Sequence, residues 1–287
     1  MKRIDVLPDD VLLEIFDFYA MYPDDNDDEK TEIEAWQSLV HVCRRWRNVV
    51  FGSPRRLNLQ LCCSPETPIK DTLDVWPALP LIVAGNVGLS SGTDNIIAAL
   101  GQSNRVCKVN LWDLEGWQLE QVLAAMQVPF PELTGMMLWS ERKTVPAIPI
   151  PDSFLGGSAP RLRFFSLDGI LFPGMPNLLS SANHLVDLSL YKIPHSGYIS
   201  PEAMVALLST VLSNLESLLL GFESPQSRPD SETRHPPPSK RSVIPALNSF
   251  HFHGVTEYLE DLVTFIDAPR LQRLHITFFN QIDFDTP

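Results

Sequence analysis

Three histidines fall close together near the end of the chain, at His251, His253 and His275, and by type they are the residues best suited to hold a metal ion. Neutral imidazoles bind zinc well, and Asp168 or Asp187 could add a carboxylate. The spacing argues against such a centre. His251 and His253 share one face of a strand, because side chains two residues apart point the same way, and His275 belongs to the next repeat. Asp187 lies two repeats from His251, and with strands about 4.8 Å apart any cluster would be three-sided and exposed. No GxSxG nucleophile elbow, P-loop or GxGxxG fingerprint occurs; Gly156-Gly157-Ser158 is a glycine pair in a loop and lacks the lysine of a phosphate cradle. Cys43, Cys62, Cys63 and Cys107 contain no CxxC pair, and the adjacent Cys62 and Cys63 are poorly placed to bond each other. The sequence therefore offers no recognisable catalytic motif or cofactor site, and at best a three-sided, exposed histidine cluster. It reads as a binding protein and not as an enzyme.

The elements that position these residues repeat. An apolar residue, two positions, a second apolar residue, one position and a third recur at Val106/Val109/Leu111, Leu133/Met136/Leu138, Leu162/Phe165/Leu167, Leu185/Leu188/Leu190, Leu215/Leu218/Leu220, Leu247/Phe250/Phe252 and Leu271/Leu274/Ile276. Successive starts are 27, 29, 23, 30, 32 and 24 residues apart. An earlier copy is read at Leu79/Ile82/Ala84, with an edge strand at Leu57/Leu59/Leu61. Between the strands, apolar residues at helical spacing predict return helices: Ile96, Ile97 and Leu100; Leu119, Val122, Leu123 and Met126; Met204, Val205, Leu208, Val211 and Leu212 behind a Ser200 cap and Pro201; and Leu259, Leu262, Val263 and Ile266. Residues 148–157, rich in Pro and Gly, are expected to be irregular. Ser224 to Arg241, with Pro225, Pro229 and Pro236 to Pro238, cannot pack a core and is expected to be a disordered loop. No polar covering segment follows the last strand, which implies exposed apolar surface or a chain cut short.

With the triads facing inward, strand alternation sends the intervening residues to the opposite, concave face. Those are Lys108, Asn110, Trp112, Met137, Trp139, Phe164, Ser166, Asp168, Asp187, Ser189, Tyr191, Leu219, His251, His253, Arg273 and His275. Trp, Tyr, His and Arg favour binding hot spots. A protein substrate is accordingly expected to meet Trp112, Trp139, Tyr191, His251, His253, Arg273 and His275. A minor core made of Trp112, Met137, Trp139 and Phe164 under covering loops is the bland alternative.

Bulk properties narrow the partners. The 287 residues carry a formal charge of −13, which repels nucleic acid and anionic membranes, and no long basic patch offsets it. No segment approaches the roughly 18 apolar residues of a membrane span, and Met1 to Asp10 does not resemble a signal peptide. Free thiols then suggest a reducing compartment, cytoplasmic or nuclear.

The first fifty residues differ from the rest. Pro8, Asp9 and Asp10 suit a helix start, and Val11, Leu12, Ile15, Phe16 and Tyr19 follow at helical spacing. An acidic run from Asp24 to Glu29 reads as a solvated loop, and Thr31 with Glu34 has the spacing of a capping box for a second helix. That helix is expected to carry Trp36, Leu39, Val40, Cys43, Trp46 and Val50 as one stripe. So short a segment cannot bury this much apolar surface within itself, so part of it must face another surface.

Leu7-Pro8-Asp9-Asp10-Val11-Leu12-Leu13-Glu14-Ile15-Phe16, followed by Leu39-Val40-His41-Val42-Cys43-Arg44-Arg45-Trp46-Arg47, resembles the F-box. The resemblance implies docking on the Skp-type adaptor of a cullin-containing SCF ubiquitin ligase, with Leu7, Pro8, Ile15, Phe16, Leu39, Val42, Cys43 and Trp46 in or directly behind that interface. The acidic stretch from Asp24 to Glu32 is longer than the family's usual connection. Arg44, Arg45 and Arg47 would form a solvated face or touch an acidic adaptor. From Leu57 onward the triads resemble the irregular leucine-rich repeats of many F-box proteins, although the Asn that often closes that motif is poorly kept. The expected architecture is α/β: an F-box at 1–55, then a leucine-rich-repeat solenoid at 56–287 with short parallel strands inside and helices or loops outside. The expected function is substrate recognition for an SCF-type ligase. The alternatives are a repeat scaffold unrelated to ubiquitin, with the N-terminal helices as its cap, and a metal-dependent hydrolase built on the histidines.

Overall fold

Strands that share an apolar face must align so that each row of large side chains meets the next, because a slip of one residue would turn every side chain to the other face. The computed structural model obeys this constraint through most of the chain. It describes residues 7–21, 35–66, 68–88, 92–140, 148–172, 177–211, 213–225 and 241–279. The acidic run at 24–29, the Thr31/Glu34 pair and nearly all of the 224–241 loop lie outside those residues.

Among the described residues nine parallel strands form one sheet in chain order. They are β1 (Leu61–Cys63), β2 (Leu81–Asn86), β3 (Val106–Trp112), β4 (Gly135–Trp139), β5 (Phe164–Asp168), β6 (Asp187–Ile193), β7 (Ser217–Phe222), β9 (Ser249–Gly254) and β11 (Arg273–Phe278). A separate two-stranded pairing joins β8 (Ser242–Val243) to β10 (Ile266–Asp267), which the sequence pattern did not suggest. In the main sheet Val109, Met136, Phe165, Leu188, Leu218, Phe250 and Leu274 form one continuous row. Leu111, Leu138, Leu167, Leu190, Leu220, Phe252 and Ile276 form the next. All seven triads therefore have the register read from the sequence.

Return segments cover that face. Helices α4 (Ile69–Val75), α5 (Thr93–Leu100), α6 (Gly116–Ala125), α7 (Asn177–Ser181), α8 (Pro201–Val211) and α9 (Thr256–Phe265) follow the strands. Much of the α5, α6, α8 and α9 stripes packs against the strand rows: Ile96, Leu119, Val122, Met204, Leu208 and Leu262 are almost wholly enclosed, whereas Val263 of α9 is exposed. Ser200 caps α8 as expected, its hydroxyl accepting from the Ala203 amide at 3.2 Å. Glu115 and Gln118 make a reciprocal capping box on α6 that the sequence reading passed over. The 148–157 stretch is irregular, with one isolated bridge from Pro149 to Leu171 and a short 3-10 turn at Phe154–Gly157. At the strand entrances a second ladder ties the repeats together: the Thr134, Arg163, Val186, Glu216, Asn248 and Gln272 amides each donate to a carbonyl of the preceding repeat.

Two early expectations are corrected. The weak copy at Leu79/Ile82/Ala84 is out of register by one position: Leu81 and Val83 face the core, Val83 pairing with Val109, while Ile82 and Ala84 pack with Cys62 and Cys107 on the opposite face. β1 is Leu61–Cys63 rather than Leu57–Leu61, although Leu57 and Leu59 are buried. An apolar run that is buried on both faces carries no alternation from which register could be read.

The N-terminal residues form α1 (Asp9–Met21), α2 (Trp36–Val42) and α3 (Arg44–Gly52). The single second helix expected from the stripe is broken at Cys43, which is fully extended (φ −159°, ψ 168°) and caps α3 by accepting the Trp46 amide on its Sγ. These helices share the core of the sheet. Trp36 donates its indole N–H to the Gln60 carbonyl at 3.0 Å and packs edge-on against Trp76 at 5.1 Å.

At the other end, the apolar row of β11 is open to solvent among the described residues. Leu274 is 55% exposed, and a groove of about 350 Å³ runs between β11 and α9, lined by Phe250, Leu259, Val263, Leu274, Ile276 and Phe278. Burial depth thus falls from the middle strands to this edge, and stability should follow it. Phe165→Ala, at a fully enclosed site, is expected to lower unfolding stability by about 3–5 kcal/mol. Leu274→Ala should stay within about 0.5 kcal/mol of the parent. Urea unfolding of the two variants checks the ordering.

Candidate functional site

Two surfaces hold the residues singled out by type. The first is the outside of the N-terminal helices. α1 is apolar on two faces: Leu12, Leu13 and Phe16 turn into the core, while Val11, Ile15, Phe18 and Tyr19, at i, i+4, i+7 and i+8, remain 41–65% exposed. On α2, Leu39 is buried and Val42 is 59% exposed. Phe16 is sealed beneath Trp46, with ring centroids 4.7 Å apart, and Trp46, Cys43 and Leu7 are half-buried. Pro8 is exposed.

The eight residues expected at this interface therefore divide by role in the fold. Phe16 and Leu39 support it from behind, and Ile15, Val42 and Pro8 face outward. Phe18 was absent from that set. Its signal was its place seven residues after Val11 on the same helical face. Arg45 does not extend a basic patch: it binds the Asp9 carboxylate at 2.6 Å and the Leu7 carbonyl, clamping the start of α1 to α3.

The second surface is the face of the sheet opposite the helices. Register places its residues in three rows. Lys108, Gly135, Phe164, Asp187, Ser217, Ser249 and Arg273 lie at the strand entrances, and Asn110, Met137, Ser166, Ser189, Leu219, His251 and His275 lie along the middle. Trp139, Asp168 and Tyr191 align at the exits of their strands, as do Gly221, His253 and Thr277. Trp112 occupies the corresponding end of β3, paired with Asn86. Trp112, Trp139, Tyr191 and His253 are half-buried; His251, Arg273 and His275 are exposed.

A backbone irregularity concentrates this surface. The β6–β7 register shifts between Leu190 and Ile193, and Lys192 adopts a left-handed φ of 48°. Consecutive strand residues point to opposite faces, but a left-handed residue at a bulge re-aims its side chain. Lys192 therefore joins Tyr191 on the same side. Its ammonium stands 5.6 Å from the Trp139 ring centre, 5.6 Å from that of Tyr191 and 3.4 Å from the Asp168 carboxylate. An ammonium over aromatic faces is held by their quadrupoles, and Asp168 adds a direct charge. Tyr191 in turn lies over Gly221, where a Cβ would collide with its ring, and reaches His253 at 6.0 Å between centroids. Trp139, Tyr191 and His253 thus form one band that spans five strands, β4 to β9. The sequence pointed to these aromatics, and Lys192 was invisible because its strand position predicts the wrong face.

His251 and His275 adjoin across β9 and β11 with ring centroids 5.5 Å apart, but His253 is turned to Phe279 and Tyr191. Among the described residues no group of three His, Cys, Asp or Glu side chains is arranged to hold a metal. No helix among them is long and apolar enough to cross a membrane. Burial pushes the Cys107 thiol pKa up and its Sγ–H donates to the Leu81 carbonyl, so it is a structural thiol and a poor nucleophile. Compared with known proteins, the chain matches no family model, and no curated sequence is significantly similar to it.

Burial also lowers the pKa of His253 below its ordinary value of 6.5. The unfolded chain then binds a proton before the folded chain does, so His253 stabilises the fold above pH 6.5 relative to more acid solution. That stability is lost as pH falls from 6.5 towards the lower folded value. Urea midpoints at pH 7.5 and 5.5 should show a smaller acid-induced loss in His253→Gln than in the parent; equal losses would contradict this origin.

Proposed function

We propose that this chain is the substrate-recognition subunit of an SCF-type ubiquitin ligase. On this reading residues 1–55 are an F-box that docks on a Skp-type adaptor, and through it a cullin. Residues 56–287 form an irregular leucine-rich-repeat solenoid that holds a protein substrate on its concave face.

The observation that carries the reading is the second apolar face of α1. Val11 and Ile15 contribute little to the chain's own core, yet they sit beside polar Asp10, Glu14 and Asp17 on a helix whose other apolar face is already satisfied. Leaving such side chains in water forgoes about 25 cal/mol for every Å² that could be buried, and a stripe of this kind marks a protein contact. Helix-in-groove docking uses this i, i+4, i+7 spacing. The resemblance of Leu7 to Phe16 and Leu39 to Arg47 to the F-box supplies the partner's identity. The contribution to ubiquitin transfer would be positioning: a bound substrate presents its lysines at high effective concentration to the ligase's charging enzyme.

The rival reading, a cap on an unrelated repeat scaffold, draws support from the Trp36 contacts with Gln60 and Trp76, since these seal the β1 edge. The two are separated by changing only exposed positions. Full-length chain carrying Ile15→Asp and Val42→Asp is expected to melt at the parent's temperature and to lose at least about tenfold in capture of the purified adaptor. Trp139→Ala with Tyr191→Ala should leave adaptor capture intact. Adaptor binding that survives the first pair ends the F-box assignment and leaves the cap.

A further inference from the structure

A glycine interrupts the entrance row of the open face. At Gly135 the row runs Lys108, Gly135, Phe164, Asp187, and the missing side chain opens a trough of about 660 Å³. Gly135 is not required by backbone conformation: it has no left-handed φ, and a Cβ there would meet only Lys108 Cγ, at 3.7 Å. A glycine inside a strand with neither strain nor crowding to explain it is a place where something else approaches closely.

The walls have distinct chemistry. Phe164 and Met137 supply apolar sides. Lys108 and Arg163 are exposed at the rim, and neither makes a side-chain ion pair among the described residues, although the chain as a whole is strongly acidic. Asp187 lines the far end, so the rim carries one net positive charge. Two further polar groups have been withdrawn from water without gaining a partner among the described residues: the Asn110 side-chain oxygen, beside the trough, and the Trp139 indole N–H, on the next strand. Leaving either unmet costs on the order of 1–3 kcal/mol, which a ligand bearing both a donor and an acceptor would recover. From the register, the two residues lie two positions apart along the strands and one strand apart across them, about 8 Å on the diagonal. A peptide backbone offers N–H and C=O groups at that scale, with about 3.3 Å per residue when extended.

We propose that this trough is the specificity pocket for an extended peptide segment of the substrate, and that it takes one carboxylate side chain, Asp or Glu, between Lys108 and Arg163. The net rim charge matches a single carboxylate; a dianionic phosphate would exceed it and face Asp187 besides. Asn110 and Trp139 bind the peptide's main chain, and the aromatic band around Trp139 and Tyr191 receives the residues that follow. The proposal rests on the receptor reading for its substrate but not on the adaptor for its test.

Purified full-length chain is titrated into fluorescein-labelled decapeptide pools, degenerate except at one central position fixed as Glu, phosphoserine, Ala or Lys, with anisotropy as the readout. The Glu pool is expected to bind about tenfold more tightly than the Lys pool. Gly135→Leu, which fills the trough, should abolish that preference without lowering the melting temperature. Lys108→Glu with Arg163→Glu should reverse it in favour of Lys. Equal binding of the Glu and Lys pools, or a Glu preference that survives Gly135→Leu, overturns the pocket; tighter binding of the phosphoserine pool than of the Glu pool overturns the single-carboxylate assignment. Adaptor capture by the same variants is a separate readout: its loss in the unaltered chain sinks the receptor reading, and its retention in Gly135→Leu confines any peptide failure to the trough.

Discussion

Everything in this fold depends on keeping two rows of apolar side chains in register across consecutive parallel strands. A parallel strand gains its hydrogen bonds from both neighbours but gains burial only if the next return segment covers the same side. Val109 to Leu274 and Leu111 to Ile276 meet that demand along seven strands, and the entrance ladder from Thr134 to Gln272 locks each step to the last. The core is therefore one-sided. That is what frees the opposite face to carry tryptophan, tyrosine, histidine and charge, and it makes the same residues legible as candidates for contact.

Among the described residues β1 and β11 are the edges of the ladder, and the elements beside them differ from those of the middle. At the start, α2 and α3 close the β1 edge through Trp36, Phe51 and Trp76, and α1 is left with apolar side chains beyond what closure needs. At the other edge the row through Leu274, Ile276 and Phe278 has α9 on one side only. The aromatic cluster of Tyr198, Phe222, Phe252 and Tyr258 compensates just behind it: Tyr258 is fully enclosed and still satisfies its hydroxyl by donating to the Ile199 carbonyl at 3.0 Å.

Much of this was written in periodicity. Five of the seven triads set one polar residue between two apolar ones and so announce their inward face; Met136-Met137-Leu138 and Leu218-Leu219-Leu220 take theirs from the spacing of the repeat. The stripes of α5, α6, α8 and α9 were nearly as plain, except that Ile266, read as part of the last stripe, lies past the end of α9 in β10. What escaped was of three kinds. Leu81-Ile82-Val83-Ala84 is apolar on both faces, so alternation vanished and the register was read one residue out. Cys43 breaks a stripe whose spacing alone looks continuous, because an extended residue followed by a helix cap preserves the sequence rhythm while changing the direction of the chain. Lys192 and Gly135, which shape the open face most, act through a left-handed turn and through a missing side chain, and neither leaves a hydrophobic signature.

The seam between the N-terminal helices and β1 has a mechanical consequence. Trp36 is anchored both to the Gln60 main chain, just before the first strand, and to Trp76, so the N-terminal helices pack directly on the start of the sheet. Distances from that end are then counted in strands. Trp112 on the third strand and His275 on the ninth stand six spacings apart, about 29 Å if laid flat. On the receptor reading proposed above, such a body would act as a ruler: where a peptide landed along the row would set how far it projected.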